Sequence, residues 1–158
     1  MRKLIWTVLS LTPSLLACAS HKIPGTEIDD NTDTRAIFGL MNAYRQAVEA
    51  RDADAIVALL DESFRDDGGT TNLDDDLTYA KARTSLTERL KRFEDVRLEM
   101  NLRKIEFVDD ETAARATYTY SVTYRIPQLT SRTQTDAEIK QMNFKRVGKK
   151  DWRIVSGI

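Results

Sequence analysis

Two hydrophobic periods divide the chain. Between Thr34 and Ala50, the apolar side chains Ile37, Leu40, Met41, Tyr44 and Val48 recur at steps that place them on one helical face. The pattern predicts a helix over 34–50, with Asp33 as its N-cap. Arg51-Asp52 interrupts it, and a short second helix is predicted over 53–60, capped by Asp52 and burying Ile56, Leu59 and Leu60. Residues 61–76 are irregular, with Phe64 followed by Asp66-Asp67-Gly68-Gly69 and Asp74-Asp75-Asp76, compositions that favour turns. A third helix is expected over 77–93, with the stripe Tyr79, Ala82, Leu86, Leu90 and Phe93. Asp74 to Asp76 would lie near its positive N-terminal end.

From Asp95 the period becomes two. Leu98, Met100 and Leu102 alternate with polar residues, and then the phase flips to Ile105 and Phe107, as a β-bulge would cause. Asp109-Asp110-Glu111 reads as a turn. Over 114–126 one face carries Ala114, Ala116, Tyr118, Tyr120, Val122, Tyr124 and Ile126, and the other Arg115, Thr117, Thr119, Ser121, Thr123 and Arg125, so one face is packed and the other wetter. Pro127 ends the strand, and 130–135 reads as a polar hairpin tip. A strand carrying Ile139, Met142 and Phe144 follows, then a turn at Gly148 to Asp151, then a last strand with Trp152, Ile154 and Ile158 on one face. Three helices followed by four antiparallel strands make an α+β domain with segregated layers.

The chain's start has a different character. Arg2-Lys3 precede an apolar run from Leu4 to Leu16 that closes on Ala17-Cys18-Ala19-Ser20. A charged start, a short apolar core and small residues are the layout of a secretory signal. The run is shorter than the roughly 20 residues of a spanning helix, and Pro13 interrupts it. Leu15-Leu16-Ala17-Cys18 resembles the lipobox of bacterial lipoproteins. That resemblance implies a signal peptide over 1–17, a lipid on Cys18, and export to a membrane-anchored position. With Ala19 next, it implies the periplasmic face of the outer membrane. The alternative is a plain secretory signal with an incidental cysteine. Cys18 is the only cysteine, so no internal disulfide can form. Residues 18–32, with Pro24 and Gly25, read as a flexible tether, and 33–158 as one domain large enough for a core of its own.

The domain also resembles the nuclear transport factor 2-like (NTF2-like), or SnoaL-like, superfamily, also described as cystatin-like. The resemblance is carried by Tyr44 through Leu60, by Phe64 to Gly68, and by the closing Trp152-Arg153-Ile154-Val155-Ser156-Gly157-Ile158. It implies a cone of three N-terminal helices packed on a bent antiparallel sheet of about four strands. These stretches mark a fold rather than a chemistry.

Composition narrows the chemistry. Of 24 basic residues, Arg2 and Lys3 lie in the leader; the remaining 22 face 25 acidic ones, a formal charge of −3 with an acylated N-terminus. That gives no electrostatic reason to expect nucleic acid. The only histidine, His21, lies in the tether. The domain therefore has no histidine base or ligand and no cysteine nucleophile. It also has no Gly-rich phosphate loop after a strand, and the acidic loop lacks EF-hand spacing. No cofactor is expected, and no metal; the alternative of weak calcium binding at Asp74–Asp76 weighs less than helix capping.

Carboxylate and tyrosine chemistry remains. Some enzymes of the resembled superfamily, such as steroid isomerases, pair an aspartate base after the second helix with a tyrosine from the first, and Tyr44 with Asp66 or Asp67 occupies roughly those positions. The segment is shorter than the isomerase pattern, and no acidic residue on the apolar face of 114–126 supplies a second donor. Tyr44, Tyr79, Tyr118, Tyr120 and Tyr124 are read either as the lining of a pocket for a small apolar or amphipathic ligand or as core fillers with hydroxyls at the rim. Arg115, Arg125 and the threonines between them form a solvated sheet face or, as the resemblance implies, a face for a homodimer. The expectation is a lipid-anchored, non-catalytic binding protein. The alternatives are an isomerase, cyclase or hydrolase using Asp-Tyr acid-base chemistry, and a dimeric scaffold built on the sheet face.

Overall fold

The computed structural model describes residues 21–68, 70, 74, 76–128 and 132–158. The leader, Cys18, Gly69, Asp75 and the start of the 130–135 tip lie outside the described residues. Helix α1 (Thr32–Ala50) begins two residues earlier than the periodicity predicts, because Asn31 and not Asp33 is its N-cap. Asn31 Oδ1 accepts from the Asp33 and Thr34 N–H groups at 2.9 Å each, and Thr34 Oγ1 accepts from Asn31 N–H, closing a capping box. Asp33 instead receives Arg146 through both terminal guanidinium nitrogens at 2.8 and 2.9 Å, and Trp152 Nε1 at 3.0 Å.

Helix α2 (Ala53–Leu59) is capped by Asp52 as expected, and Leu60 beyond it forms a parallel bridge with Ile154. The irregular stretch holds two short strands, β1 (Arg65–Asp66) and β2 (Leu77–Thr78), paired antiparallel. This pairing delays helix α3 to Tyr79–Leu90, so the expectation of 77–93 is too long at both ends. Asp76 is not a helix cap. It is 2% exposed and bonded through Oδ2 to Arg65 Nε.

Strands β3 (Glu94–Val108), β4 (Ala113–Arg125), β5 (Gln134–Arg146) and β6 (Trp152–Ser156) form one antiparallel sheet in sequence order. The predicted phase flip is present as a register shift between Leu102 and Lys104. It keeps Leu102 opposite Tyr118 and Ile105 opposite Ala116, all on the inner face. Ile139 corrects the reading of β5. It pairs with Thr119, out of phase with Met142 and Phe144, and is 62% exposed on the outer face. Helix α1 packs against β3 and β6, α2 against α1, and α3 against α2. The buried core, including Ile37, Met41, Leu98, Tyr118, Met142, Phe144 and Ile154, lies between the helices and the inner sheet face. Each such large side chain contributes roughly 1.5–3 kcal/mol by leaving water.

The tether is folded from His21 onward. Ile23 N–H donates to Ile28 O at 2.9 Å and Asp30 N–H to His21 O at 2.7 Å, with the turn between made by Gly25 at φ +77°. Ile23 is buried and Ile28 packs on the core. No helix among the described residues is long and apolar enough to cross a membrane.

Candidate functional site

β5 controls the open end of the domain. Its C-terminal half offers Met142 and Phe144 to the core, while the same face, two residues at a time toward its start, offers Lys140, Glu138 and Asp136. These pair with Tyr118, Tyr120 and Val122 of β4. The inner sheet face thus changes from apolar to charged along one strand, and the space between it and α3 is not filled. An inner cavity of about 130 Å³ has Val48, Ile56, Leu86 and Leu90 as its apolar wall. It adjoins an outer cleft of about 460 Å³. Arg89, Phe93, Tyr120 and Lys140 line both, whereas Asp136 and Glu138 line only the cleft.

Tyr44, from the buried face of α1, lines the inner cavity. Its hydroxyl has no hydrogen-bond partner among the described residues. Burial pushes its ionisation far above the ordinary tyrosine range; Tyr118 and Tyr120 add to this, and Arg89 opposes it. Tyr44 is therefore a neutral phenol, able to donate or accept one bond to a guest. Tyr120 is half-buried between cavity and cleft, with Lys140 Nζ 4.5 Å from its ring centroid, and burial raises its ionisation too. Lys140 Nζ also stands 3.3 Å from Glu138 Oε1. Tyr124, at the cleft, packs edge-on against Phe93 with centroids 4.8 Å apart and donates to Asp136 Oδ2 at 3.1 Å. Burial first, and this bond second, hold its proton on. Arg89, in the last turn of α3, makes no ion pair among the described residues.

The remaining sequence candidates lie elsewhere. Tyr118 is fully buried and donates to Gly157 O at 3.2 Å; it lines neither space, and burial raises its ionisation strongly. Tyr79 is 37% exposed and borders a separate depression with Val57 and Arg153, because α3 starts at this residue and leaves it at the surface. Asp66 Oδ2 accepts the backbone N–H groups of Gly157 and Ile158 at 2.8 and 2.9 Å, and Oδ1 accepts that of Gly68 at 3.1 Å. It ties the chain's last residues to β1. With exposed Asp67, it lines another depression beside Gln141 and Asn143. Tyr44 and the two aspartates are therefore not brought to one cavity. Among the described residues, no group of three or more His, Cys, Asp and Glu side chains is placed to hold a metal ion.

No protein-family model matches the sequence, and neither does any curated protein. Solved structures do match. An NTF2-like superfamily protein from Salmonella enterica superposes with a TM-score of 0.65 at 16% identity, covering 80% of this chain and 88% of that one. A protein with a cystatin-like fold from Caulobacter vibrioides gives 0.62 at 16% identity, over 80% of this chain and 87% of that one. A protein named as a candidate scytalone dehydratase, from Novosphingobium aromaticivorans, gives 0.61 at 18% identity, over 78% and 80%. The fold is the NTF2-like one.

Within this NTF2-like fold, periodicity pointed to Tyr44, Tyr120 and Tyr124 but missed Arg89, Lys140, Glu138 and Asp136. The available signal was parity. Asp136, Glu138 and Lys140 share the even register of Met142 and Phe144, and charged residues at core-facing positions mark a place where the core stops.

Proposed function

We propose that the chain is an exported lipoprotein, anchored through Cys18, whose NTF2-like domain holds a small amphipathic ligand without transforming it. The observation carrying this reading is the cavity between α1, α3 and β4–β5. It has an apolar wall, an unsatisfied phenol from Tyr44 and an unpaired guanidinium from Arg89 at its throat. A concave apolar space with a few convergent polar groups is the usual form of a small-molecule site. Catalysis by an aspartate base is disfavoured by the use of Asp66 as a backbone clamp outside that space.

The anchor reading rests on Leu15-Leu16-Ala17-Cys18. Because the chain is folded from His21, only Ala19 and Ser20 would separate the domain from the lipidated residue, a reach of roughly 10 Å at about 3.5 Å per residue. The folded N-terminal turn adjoins the start of α1, which bonds to Arg146 and Trp152. The cavity opens at the other end of the sheet, beside Tyr124 near the end of β4 and Asp136 near the start of β5. A domain tethered this closely presents its open end away from the lipid surface.

Native mass spectrometry of the protein released from its own envelope fraction tests the binding reading. It should show a retained small molecule that the protein returns chemically unchanged. Steady conversion of the released molecule to a product would overturn the non-catalytic part; an empty protein that takes up no amphiphile would overturn the binding part.

A further inference from the structure

The order of groups along the cavity, from floor to rim, specifies a ligand class. The floor is apolar: Val48, Ile56, Leu86 and Leu90 offer no charge to a guest. The throat is cationic, because Arg89 and Lys140 line both the inner cavity and the cleft. The rim is anionic, because Asp136 and Glu138 face the cleft alone. Lys140 is shared between Glu138 and the Tyr120 ring, but Arg89 has no carboxylate among the described residues and lies close enough to Tyr44 and Tyr120 to oppose the rise in their ionisation. A guanidinium at the mouth of an apolar pocket is matched by a carboxylate, which it can receive through two parallel bonds.

We propose that this cavity takes a monocarboxylate whose apolar body is about the size of one aromatic ring, with the carboxylate received by Arg89 and Lys140 and steadied by the Tyr44 hydroxyl. The proposal rests on the cavity being a binding site, as above, and adds its chemical class. Size follows from the volume: the inner cavity of about 130 Å³ is close to an engineered apolar cavity of about 150 Å³ that admits benzene. Single charge follows from the rim, where Asp136 and Glu138 would repel a second carboxylate. The Tyr44 phenol has no competing protein partner among the described residues and keeps its proton at any physiological pH, so it is a donor to an anion.

Calorimetric titration of the full chain carrying Cys18→Ser, which has no lipid to occupy the cavity, tests this with phenylacetate, phenethyl alcohol, phenethylamine and phenylmalonate. These probes share a ring and differ in head-group charge. Phenylacetate should bind about tenfold or more tighter than phenethyl alcohol, as a charge-assisted bond to the guanidinium requires. Phenethylamine and phenylmalonate should be weaker than phenylacetate, and added salt should weaken phenylacetate alone among the acid and alcohol. Arg89→Met should abolish the preference for phenylacetate over phenethyl alcohol. Lys140→Met should reduce the preference in part, and circular dichroism should show both variants folded. Alcohol or amine binding as tightly as the acid, or a preference surviving Arg89→Met, overturns the proposed class while leaving the cavity a binding site. Failure of all four probes overturns the class and the site together.

Discussion

Asp33 accepts two bonds from Arg146 and one from the Trp152 indole, and Arg146 in turn lies over the Trp152 ring at 4.5 Å. One carboxylate thus fastens the start of α1 to the end of β5 and the start of β6. The Arg146 bond first, with the Trp152 bond also contributing, holds its ionisation below the ordinary 3.8 despite partial burial. A depressed carboxylate stabilises the fold above its unfolded value and loses that contribution as pH falls through the folded one. Asp33→Ala should therefore cost about 2 kcal/mol at neutral pH and lower the melting temperature by roughly 7 °C, with the gap to the parent protein narrowing as pH falls below the ordinary 3.8. Thermal and urea unfolding across pH check this. Two tyrosines make a second contrast. Tyr118→Phe removes a bond to Gly157 O and should cost about 1 kcal/mol, while Tyr44→Phe removes a hydroxyl with no protein partner and should leave unfolding within about 0.5 kcal/mol of the parent. Differential calorimetry of the pair checks the contrast: a loss for Tyr44→Phe as large as that for Tyr118→Phe would mean that the Tyr44 hydroxyl is bonded within the protein. At this scale the sequence was half legible. It placed Tyr44 on the buried face of α1, but it gave Asp33 the cap because both Asn31 and Asp33 suit that position and only the distant Arg146 and Trp152 decide between them.

Among the elements, the end of β6 depends on backbone conformation more than on side chains. Gly157 has φ +88°, and a Cβ there would overlap the Gln141 carbonyl of β5. Its N–H reaches Asp66 and its carbonyl receives Tyr118. Gly157→Ala should therefore destabilise by about 2–3 kcal/mol through strain and lost bonds, measured as a lower urea midpoint without loss of the cooperative transition. The long elements were legible because their buried residues repeat: the α1 stripe, the alternation of β4 and the bulge of β3 were all apparent. The short ones were not. β1 and β2 hold two residues each and are defined by pairing across a loop, which no local period reports. That pairing is also why Tyr79 leaves the apolar stripe assigned to it. Ile139 was misread because hydrophobicity was counted without its register against Met142 and Phe144; the same register exposes the charged residues of the cavity mouth.

For the whole molecule, the layout relates the proposed anchor to the candidate cavity. The chain is folded almost from its proposed lipid attachment, and the cavity opens at the opposite end of the sheet. Cys18→Ser should move the protein from the membrane pellet to the soluble fraction without changing its unfolding temperature, because the buried core is built from Ile23 to Ile154. Cell fractionation with blotting, beside thermal unfolding of both forms, checks the two halves of that statement. The NTF2-like fold was foreseen from helix and strand order and from the stretches that resemble it. Of the candidate cavity's lining, the sequence offered only the aromatic side chains, since cationic throat and acidic rim come together from α3 and β5, which are distant in sequence. The most direct test of the central claim is a crystal structure of the protein grown with phenylacetate. The account predicts the ring against Val48, Ile56 and Leu86 with its carboxylate within hydrogen-bond distance of Arg89; an inner cavity closed by its own side chains, with the acid absent or bound elsewhere, would contradict it.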